Sequence, residues 1–187
     1  MNASSPTVAL LGTGRMGLPM ASRLCQAGLR MHVWNRNRAR AEPLAAEGAQ
    51  VHDSPAAAVR AADLVISMLE NGPVVESVLF NQGTAQAMRP GTLVVDMASI
   101  KPAEARDHAQ RLQALGLQHV DAPVSGGTVA AEAGTLAIMA GGEASALERA
   151  LPVLRHLGTT THVGPHGAGQ LAKLANQMIV GITIGAV

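Results

Sequence analysis

Thr7-Val8-Ala9-Leu10-Leu11-Gly12-Thr13-Gly14-Arg15-Met16-Gly17-Leu18-Pro19-Met20-Ala21 is the stretch from which the architecture follows. Val8 to Leu11 are apolar without alternation, the pattern of a strand buried on both faces. Gly12, Thr13, Gly14, Arg15, Met16 and Gly17 then fit the spacing G-x-G-x-x-G. Met16 to Ala27 reads as a helix, stopped by Gly28. In that setting each glycine has its own task. Gly12 permits the tight turn, Gly14 lets the backbone approach a pyrophosphate, and Gly17 allows the helix to pack closely on the strand. The unpaired N–H groups at the helix start face the anion.

Working outward, short apolar runs alternate with amphipathic ones. Strands are expected at Arg30 to Trp34, Gln50 to Val51, Leu64 to Leu69, Thr92 to Asp96, His119 to Asp121 and Leu136 to Met139. Helices are expected at Arg38 to Glu47, after the N-cap and proline pair Ser54-Pro55, at Pro102 to Leu115 and at Ser145 to Leu157. Ser125 to Thr128 reads as a glycine-rich loop and Gly158 to Gly169 as a polar connection. A last helix runs from Ala168 or Gly169 to Val187. Such alternation predicts an α/β fold, a Rossmann-type doubly wound and mostly parallel sheet ending in a long helix. The expected division is a dinucleotide-binding domain over 1–165 and the start of an interdomain helix over 166–187. That helix stops on apolar residues, so an all-helical second domain is expected to be missing from this chain, and its apolar face should favour self-association.

Composition narrows the partners. Of 187 residues, 48% are hydrophobic and 14% charged, which provides a core and argues against disorder. The net charge of +1 is not gathered in a basic block, so neither nucleic acid nor an anionic membrane is an expected partner. Trp34 and Phe80 are the only aromatic residues, too few to stack single-stranded bases. No apolar run approaches the ~18 residues that span a bilayer, and Met1 to Pro6 lack the charged start of a signal peptide. The single Cys25 excludes a disulfide framework and fits a reducing cytoplasm, the expected location.

The second strand selects between cofactors. A carboxylate at its end would bond a ribose 2′-hydroxyl. Here the chain reads Trp34-Asn35-Arg36-Asn37-Arg38, without a carboxylate and with two guanidiniums that suit a 2′-phosphate. NADP(H) is therefore expected to be preferred, with NAD(H) possible. Downstream, Ser125-Gly126-Gly127 offers a hydroxyl and consecutive unhindered N–H groups suited to a carboxylate. Lys173, Asn176 and Gln177 share one face of the last helix at i, i+3 and i+4, while Leu171, Leu174, Met178 and Ile182 lie opposite and read as core. Lys173 stands out because the chain uses Arg twelve times and Lys twice. Arg does not release its proton near neutrality, whereas a partly desolvated Lys does.

Four blocks carry a family resemblance: Leu10 to Ala21; Asp96-Met97-Ala98-Ser99-Ile100-Lys101-Pro102; Asp121-Ala122-Pro123-Val124-Ser125-Gly126-Gly127 with Gly134-Thr135-Leu136; and Gly167 to Gln177. Together they resemble the β-hydroxyacid dehydrogenases, departing from the common pattern at Thr13 and at Gln177, where many members have Leu and Asn. The resemblance implies an NADP-dependent oxidoreductase that interconverts a small β-hydroxy acid and its semialdehyde, of the tartronate semialdehyde/glycerate or 3-hydroxyisobutyrate type. It implies that Lys173 exchanges a proton with the reacting oxygen and that Ser125, Gly126 and Gly127 hold the carboxylate. It further implies that Asn176 and Gln177 orient substrate and lysine, and that Met68, Leu69 and Ser99 touch the ribose and nicotinamide. A homo-oligomer is implied for the full-length protein.

Other residues count for less. Gly164 and Pro165 keep His162 and His166 off a common helix, and His119 and Asp121 share a strand face without a third ligand in evident register, so no metal is expected. Cys25 reads as a small buried apolar residue. Lys101 can approach a cofactor phosphate or simply face solvent. Two alternatives compete with the dehydrogenase reading. A non-catalytic dinucleotide-binding or scaffold protein of the same fold is disfavoured by the presence of Lys173 and the Ser-Gly-Gly loop. An imine reductase is disfavoured by Lys173.

Overall fold

In the computed structural model, which describes residues 6–185, nine strands form one sheet. They are β1 (Thr7–Leu11), β2 (Arg30–Trp34), β3 (Gln50–Val51), β4 (Leu64–Ser67), β5 (Leu93–Asp96), β6 (Gln118–Asp121), β7 (Val124–Ser125), β8 (Leu136–Gly142) and β9 (Gly158–Gly164). The helices are α1 (Gly17–Gln26), α2 (Pro55–Val59), α3 (Gly72–Glu76), α4 (Pro102–Ala114), α5 (Gly127–Ala133), α6 (Ala144–Leu154) and α7 (Ala168–Gly185). The spatial order is β3-β2-β1-β4-β5-β6-β8-β7, with β9 added alongside β8. Strands β1 to β6 pair in parallel, and the sheet reverses where β8 runs antiparallel to both β6 and β7.

Every residue of β1 is buried, as its unbroken apolar run predicts. Side chains alternate between two cores. Val8, Leu10, Leu64, Ile66, Leu93 and Val95 enter one cluster. Ala9, Leu11, Val65 and Val94 enter the other, on the opposite face. The register aligns Leu11 with Trp34 and Ser67, Ser67 with Asp96, and Asp96 with Asp121. Parallel strands thus end together, and Gly12, Asn35, Met68, Met97 and Ala122 leave the sheet along one edge. Ligand crevices form at such carboxyl ends.

Several expectations need correction. Arg38 to Glu47 is two 3₁₀ segments, Arg38–Arg40 and Glu42–Glu47, rather than one α-helix, with Pro43 at the start of the second. The strand expected over Leu64 to Leu69 stops at Ser67, leaving Met68 and Leu69 in the turn that follows. Ser125 to Thr128 is not a free loop: Val124 and Ser125 pair with β8, and α5 begins at Gly127. The polar connection after Gly158 contains β9, a parallel partner of β8. Its Thr-Thr-Thr-His run is largely exposed at the sheet's margin, which removes the apolar signal of a buried strand.

The final helix also differs in orientation. Leu171, Leu174, Met178 and Ile182 do not enter the core; they are 53–70% exposed. Gln170 is instead buried and Lys173 half-buried, so the polar stripe of α7 lies against the sheet. Ala186 and Val187, the end of the expected helix, lie outside the described residues, as do Met1 to Ser5. No helix among the described residues is long and apolar enough to cross a membrane.

Candidate active site

The glycine turn between β1 and α1 is shaped as its spacing requires. Gly12 has φ +100°, and a Cβ there would stand 2.4 Å from the Met68 carbonyl oxygen. A Cβ on Gly17 would stand 1.9 Å from the Gly12 oxygen, so only glycine lets α1 approach the turn. Gly14 is the contrast, with nothing within 4 Å of its ideal Cβ. The space above it is open to a ligand. No side chain caps α1 at Met16, which leaves its first N–H groups available to an anion. Arg15 is exposed beside them. The buried Thr13 hydroxyl has no protein partner. An open glycine face, an uncapped helix start and an orphaned hydroxyl fit a bound pyrophosphate.

The end of β2 is tied to this turn. Gly12 donates its N–H to the Trp34 carbonyl at 2.8 Å, and Thr13 donates to Asn35 Oδ1 at 3.1 Å. Asn35 Nδ2 donates in turn to the Asn37 carbonyl at 2.9 Å. Asn37 caps the first 3₁₀ segment by accepting from Ala39 N–H. Among the described residues Arg36 is exposed and enters no ion pair. Arg38 differs, since its guanidinium is engaged by Glu42 at 2.6 Å and by Asp53. Of the two arginines, Arg36 is the one free to meet a phosphate.

At the ends of β4 and β5, Met68 and Leu69 are half-buried and Ser99 is exposed. Leu69 and the Met68 backbone line the crowded side of Gly12. Lys101 is 82% exposed and stands 3.9 Å from Glu104. Ser67 and Asp96 form a buried pair beneath this edge, at 2.6 Å. Burial raises the Asp96 carboxyl to about 7. Hydrogen bonds from Ser67 and the Ala98 N–H pull against that shift, and the neighbouring Asp121 charge adds to it.

The residues read as substrate-facing come together around α7. Lys173 Nζ donates to Gln177 Oε1 at 2.8 Å, and Asn176 Nδ2 donates to Ser125 Oγ at 3.2 Å. Desolvation lowers the Lys173 pKa from its ordinary 10.5. Gly126 and Gly127 follow Ser125 with φ +128° and +67°, exposed and without side chains over their backbone. A Cβ on Gly126 would meet the Ala130 Cβ at 2.4 Å.

Asp121 and Gln170 hold this arrangement in place. The Asp121 carboxylate accepts from Gly167 N–H at 2.7 Å and from Gln170 N–H at 3.1 Å. The Gln170 side chain accepts from Ile100 N–H at 3.0 Å and donates to the Ala98 carbonyl at 2.8 Å. The sequence blocks contain both residues, but nothing in their spacing assigns them this part. Their bonds span 46 to 72 residues and exist only once the sheet is assembled.

The sheet order, the glycine turn and the open edge define a Rossmann-type domain that binds a nicotinamide dinucleotide. Residues 7–164 match the family model described as the NAD binding domain of 6-phosphogluconate dehydrogenase. The chain is 42% identical over 177 residues to the NAD-dependent L-serine dehydrogenase of Pseudomonas aeruginosa, covering 94% of this chain and 59% of that one. It is 41% identical to the 2-hydroxy-3-oxopropionate reductase of Escherichia coli, over 95% and 61% of the two chains. The structure of Mycobacterium tuberculosis 3-hydroxyisobutyrate dehydrogenase with L-serine superposes at TM-score 0.91 and 40% identity, over 94% and 60%. The chain thus belongs to the β-hydroxyacid dehydrogenase family, in its N-terminal cofactor domain. It spans about three fifths of the length of these relatives.

Proposed function

We propose that this chain is the cofactor half of an NADP-dependent dehydrogenase that interconverts a small β-hydroxy acid and its semialdehyde. The observation that carries the reading is the hydrogen-bonded set on α7. Half-buried Lys173 and Asn176 stand with Gln177 and Ser125 beside an exposed pair of glycines. Such a set has a proton carrier, an amide relay and a carboxylate cradle within one span. The substrates named for the relatives, L-serine, 2-hydroxy-3-oxopropionate and 3-hydroxyisobutyrate, are short acids that share an oxygen, hydroxyl or aldehyde, on the carbon β to the carboxylate. The region 166–187 supplies the lysine helix at the margin of the dinucleotide-binding domain 1–165.

When bound, the dinucleotide supplies or accepts the hydride. The chain's own residues do the rest. Gly12, Thr13, Gly14, Arg15, Met16 and Gly17 receive the pyrophosphate, with Asn35, Arg36 and Asn37 at the adenosine end. Arg36 meets a 2′-phosphate, and the absence of a carboxylate at this strand end removes the usual partner of an unphosphorylated ribose. Met68, Leu69 and Ser99 line the nicotinamide end. Ser125 Oγ and the Gly126 and Gly127 N–H groups take the substrate carboxylate, fixing the carbon that exchanges hydride. Asn176 and Gln177 orient the substrate and lysine. Lys173 Nζ gives a proton to the aldehyde oxygen on reduction and takes it from the hydroxyl on oxidation. Its lowered pKa makes that exchange easier near neutral pH.

The test has two parts. Fluorescence titration with NADPH and NADH should give a tighter Kd for NADPH, and equal affinities would refute the cofactor preference. Turnover by the protein carrying this chain should then be measured with tartronate semialdehyde, 3-hydroxyisobutyrate and L-serine. No activity on any of them, with the cofactor bound, would refute the substrate class.

A further inference from the structure

Where β6 ends and β9 turns into α7, three side chains meet that the dehydrogenase chemistry does not explain. His119 lies two residues before Asp121 on β6, so both side chains leave the same face of the strand. His166 reaches them from the turn that precedes α7. The sequence shows no third ligand in register with His119 and Asp121, and the fold supplies one 45 residues further along. One nitrogen from each imidazole and one Asp121 oxygen all lie within 4.8 Å of one another. The two rings stand 5.6 Å apart, tilted by 39°.

The environment is unusual for imidazoles. His119 is 4% exposed, yet neither of its ring nitrogens has a hydrogen-bond partner. Nδ1 of His166 is also buried without one. Buried polar atoms normally find a partner. Here three nitrogens from two residues go without, and all belong to one cluster. Asp121 accepts one N–H on each oxygen, which leaves each oxygen a further lone pair.

We propose that His119, Asp121 and His166 bind a single first-row transition-metal ion, with zinc the best chemical fit. Two imidazole nitrogens and one carboxylate oxygen make a borderline donor set that suits Zn²⁺, Co²⁺ or Ni²⁺ and is poor for Ca²⁺ or Mg²⁺. A tetrahedral zinc with bonds of ~2.0 Å holds its donors ~3.3 Å apart. An ion would draw the three donors, now within 4.8 Å of one another, toward that spacing, and His166, half-buried on the turn Pro165 to Gly167, is the least buried of the three. A water molecule completes the coordination. The ion would bridge β6 to the turn ahead of α7, reinforcing the anchorage that Asp121 already gives that helix. Its part is structural and involves no electron transfer.

The experiment is a Co²⁺ titration of chelator-treated protein. It is followed by visible absorption and metal content, with Zn²⁺ as competitor and thermal melting as a second readout. One equivalent of Co²⁺ should bind with tetrahedral ligand-field bands, and Zn²⁺ should displace it and raise the melting temperature. His166→Ala lies in a half-buried turn and should fold, and its affinity should fall by roughly 100-fold or more, since even loss of an outer-shell partner costs 10–100-fold. His119→Gln should do the same; if it fails to fold, His166→Ala decides alone. His32→Asn is the control, because His32 and His52 also form a close imidazole pair, at 3.0 Å, away from the cluster. Three results would overturn the proposal: no uptake by the parent chain, uptake undiminished in His166→Ala, or uptake lost with His32→Asn.

Discussion

Asp96→Asn should make the protein's stability less sensitive to pH, and its size follows from the burial of one carboxyl. Asp96 is fully buried at the end of β5, with Oδ1 accepting from Ser67 Oγ and from Ala98 N–H and Oδ2 without a partner. In the unfolded chain it titrates at its ordinary 3.8; in the folded chain it titrates at about 7, chiefly through desolvation. Below pH 3.8 both states hold the proton and the group contributes no pH-dependent penalty. Between 3.8 and about 7 the folded state holds the proton and the unfolded state releases it, so stability falls as pH rises. Above about 7 the full penalty is in place, and it reaches at most about 4 kcal/mol at 1.36 kcal/mol per pH unit. Asparagine keeps the acceptor oxygen but does not titrate. It introduces an amide N–H₂ where Oδ2 stands unpartnered, at a fixed cost of about 1 kcal/mol. Urea unfolding of both proteins, followed by Trp34 fluorescence from pH 4 to 8.5, isolates the difference. The stability of Asp96→Asn relative to the parent should climb by about 2–4 kcal/mol across that range and level off above pH 7. A difference that stays flat would show that the Asp96 carboxyl is not held neutral by burial, and the reasoning would fail.

Further outcomes are expected at the arginines, the lysine and the glycine turn. Arg36→Ser should weaken NADPH binding by about 10-fold to 100-fold, the worth of a charge-assisted hydrogen bond, and leave NADH nearly unchanged. Arg38→Ser should do much less, because Glu42 and Asp53 already occupy that guanidinium; the check is paired fluorescence titration. In the protein carrying this chain, Lys173→Met should lower kcat by roughly 10²–10⁴-fold with dinucleotide affinity retained. Reduction by the parent needs the protonated lysine, so its kcat/KM should decline as pH rises through a value below 10.5. Stopped-flow rates across pH would measure both effects. Gly17→Ala drives a Cβ to 1.9 Å from the Gly12 oxygen and should destabilise the fold by about 1–3 kcal/mol or more. Gly14→Ala has open space around its Cβ and should leave thermal melting unchanged while weakening dinucleotide binding.

The glycine turn and its flanking elements were readable because every determinant lies within fifteen consecutive residues. The buried parallel strands were readable because they are apolar on both faces. β9 was not, since an exposed marginal strand of threonines differs little from a polar loop in hydropathy, although its β-branched run was a signal. The orientation of α7 was hidden for a different reason. Periodicity identifies two faces of a helix, and the apolar one is normally assigned inward. Here Gly167 and Gln170 donate to Asp121 and Ala98, and Gln170 accepts from Ile100 N–H, which draws the polar face against the sheet. Spacing places Lys173, Asn176 and Gln177 on one helix face, and the fold adds what spacing does not hold, the approach of Ser125 to Asn176. The distinction between Arg36 and Arg38 depends on Asp53, whose place beside Arg38 only the folded chain provides.

Gln170 gives the molecule a mechanical property beyond its bonding. Its amide grips both the carbonyl of Ala98 and the N–H of Ile100, so the turn after β5 and the first coil of α7 behave as one rigid link. Lys173 follows Gln170 by three residues on α7, so the link also fixes where the lysine stands relative to the end of β5.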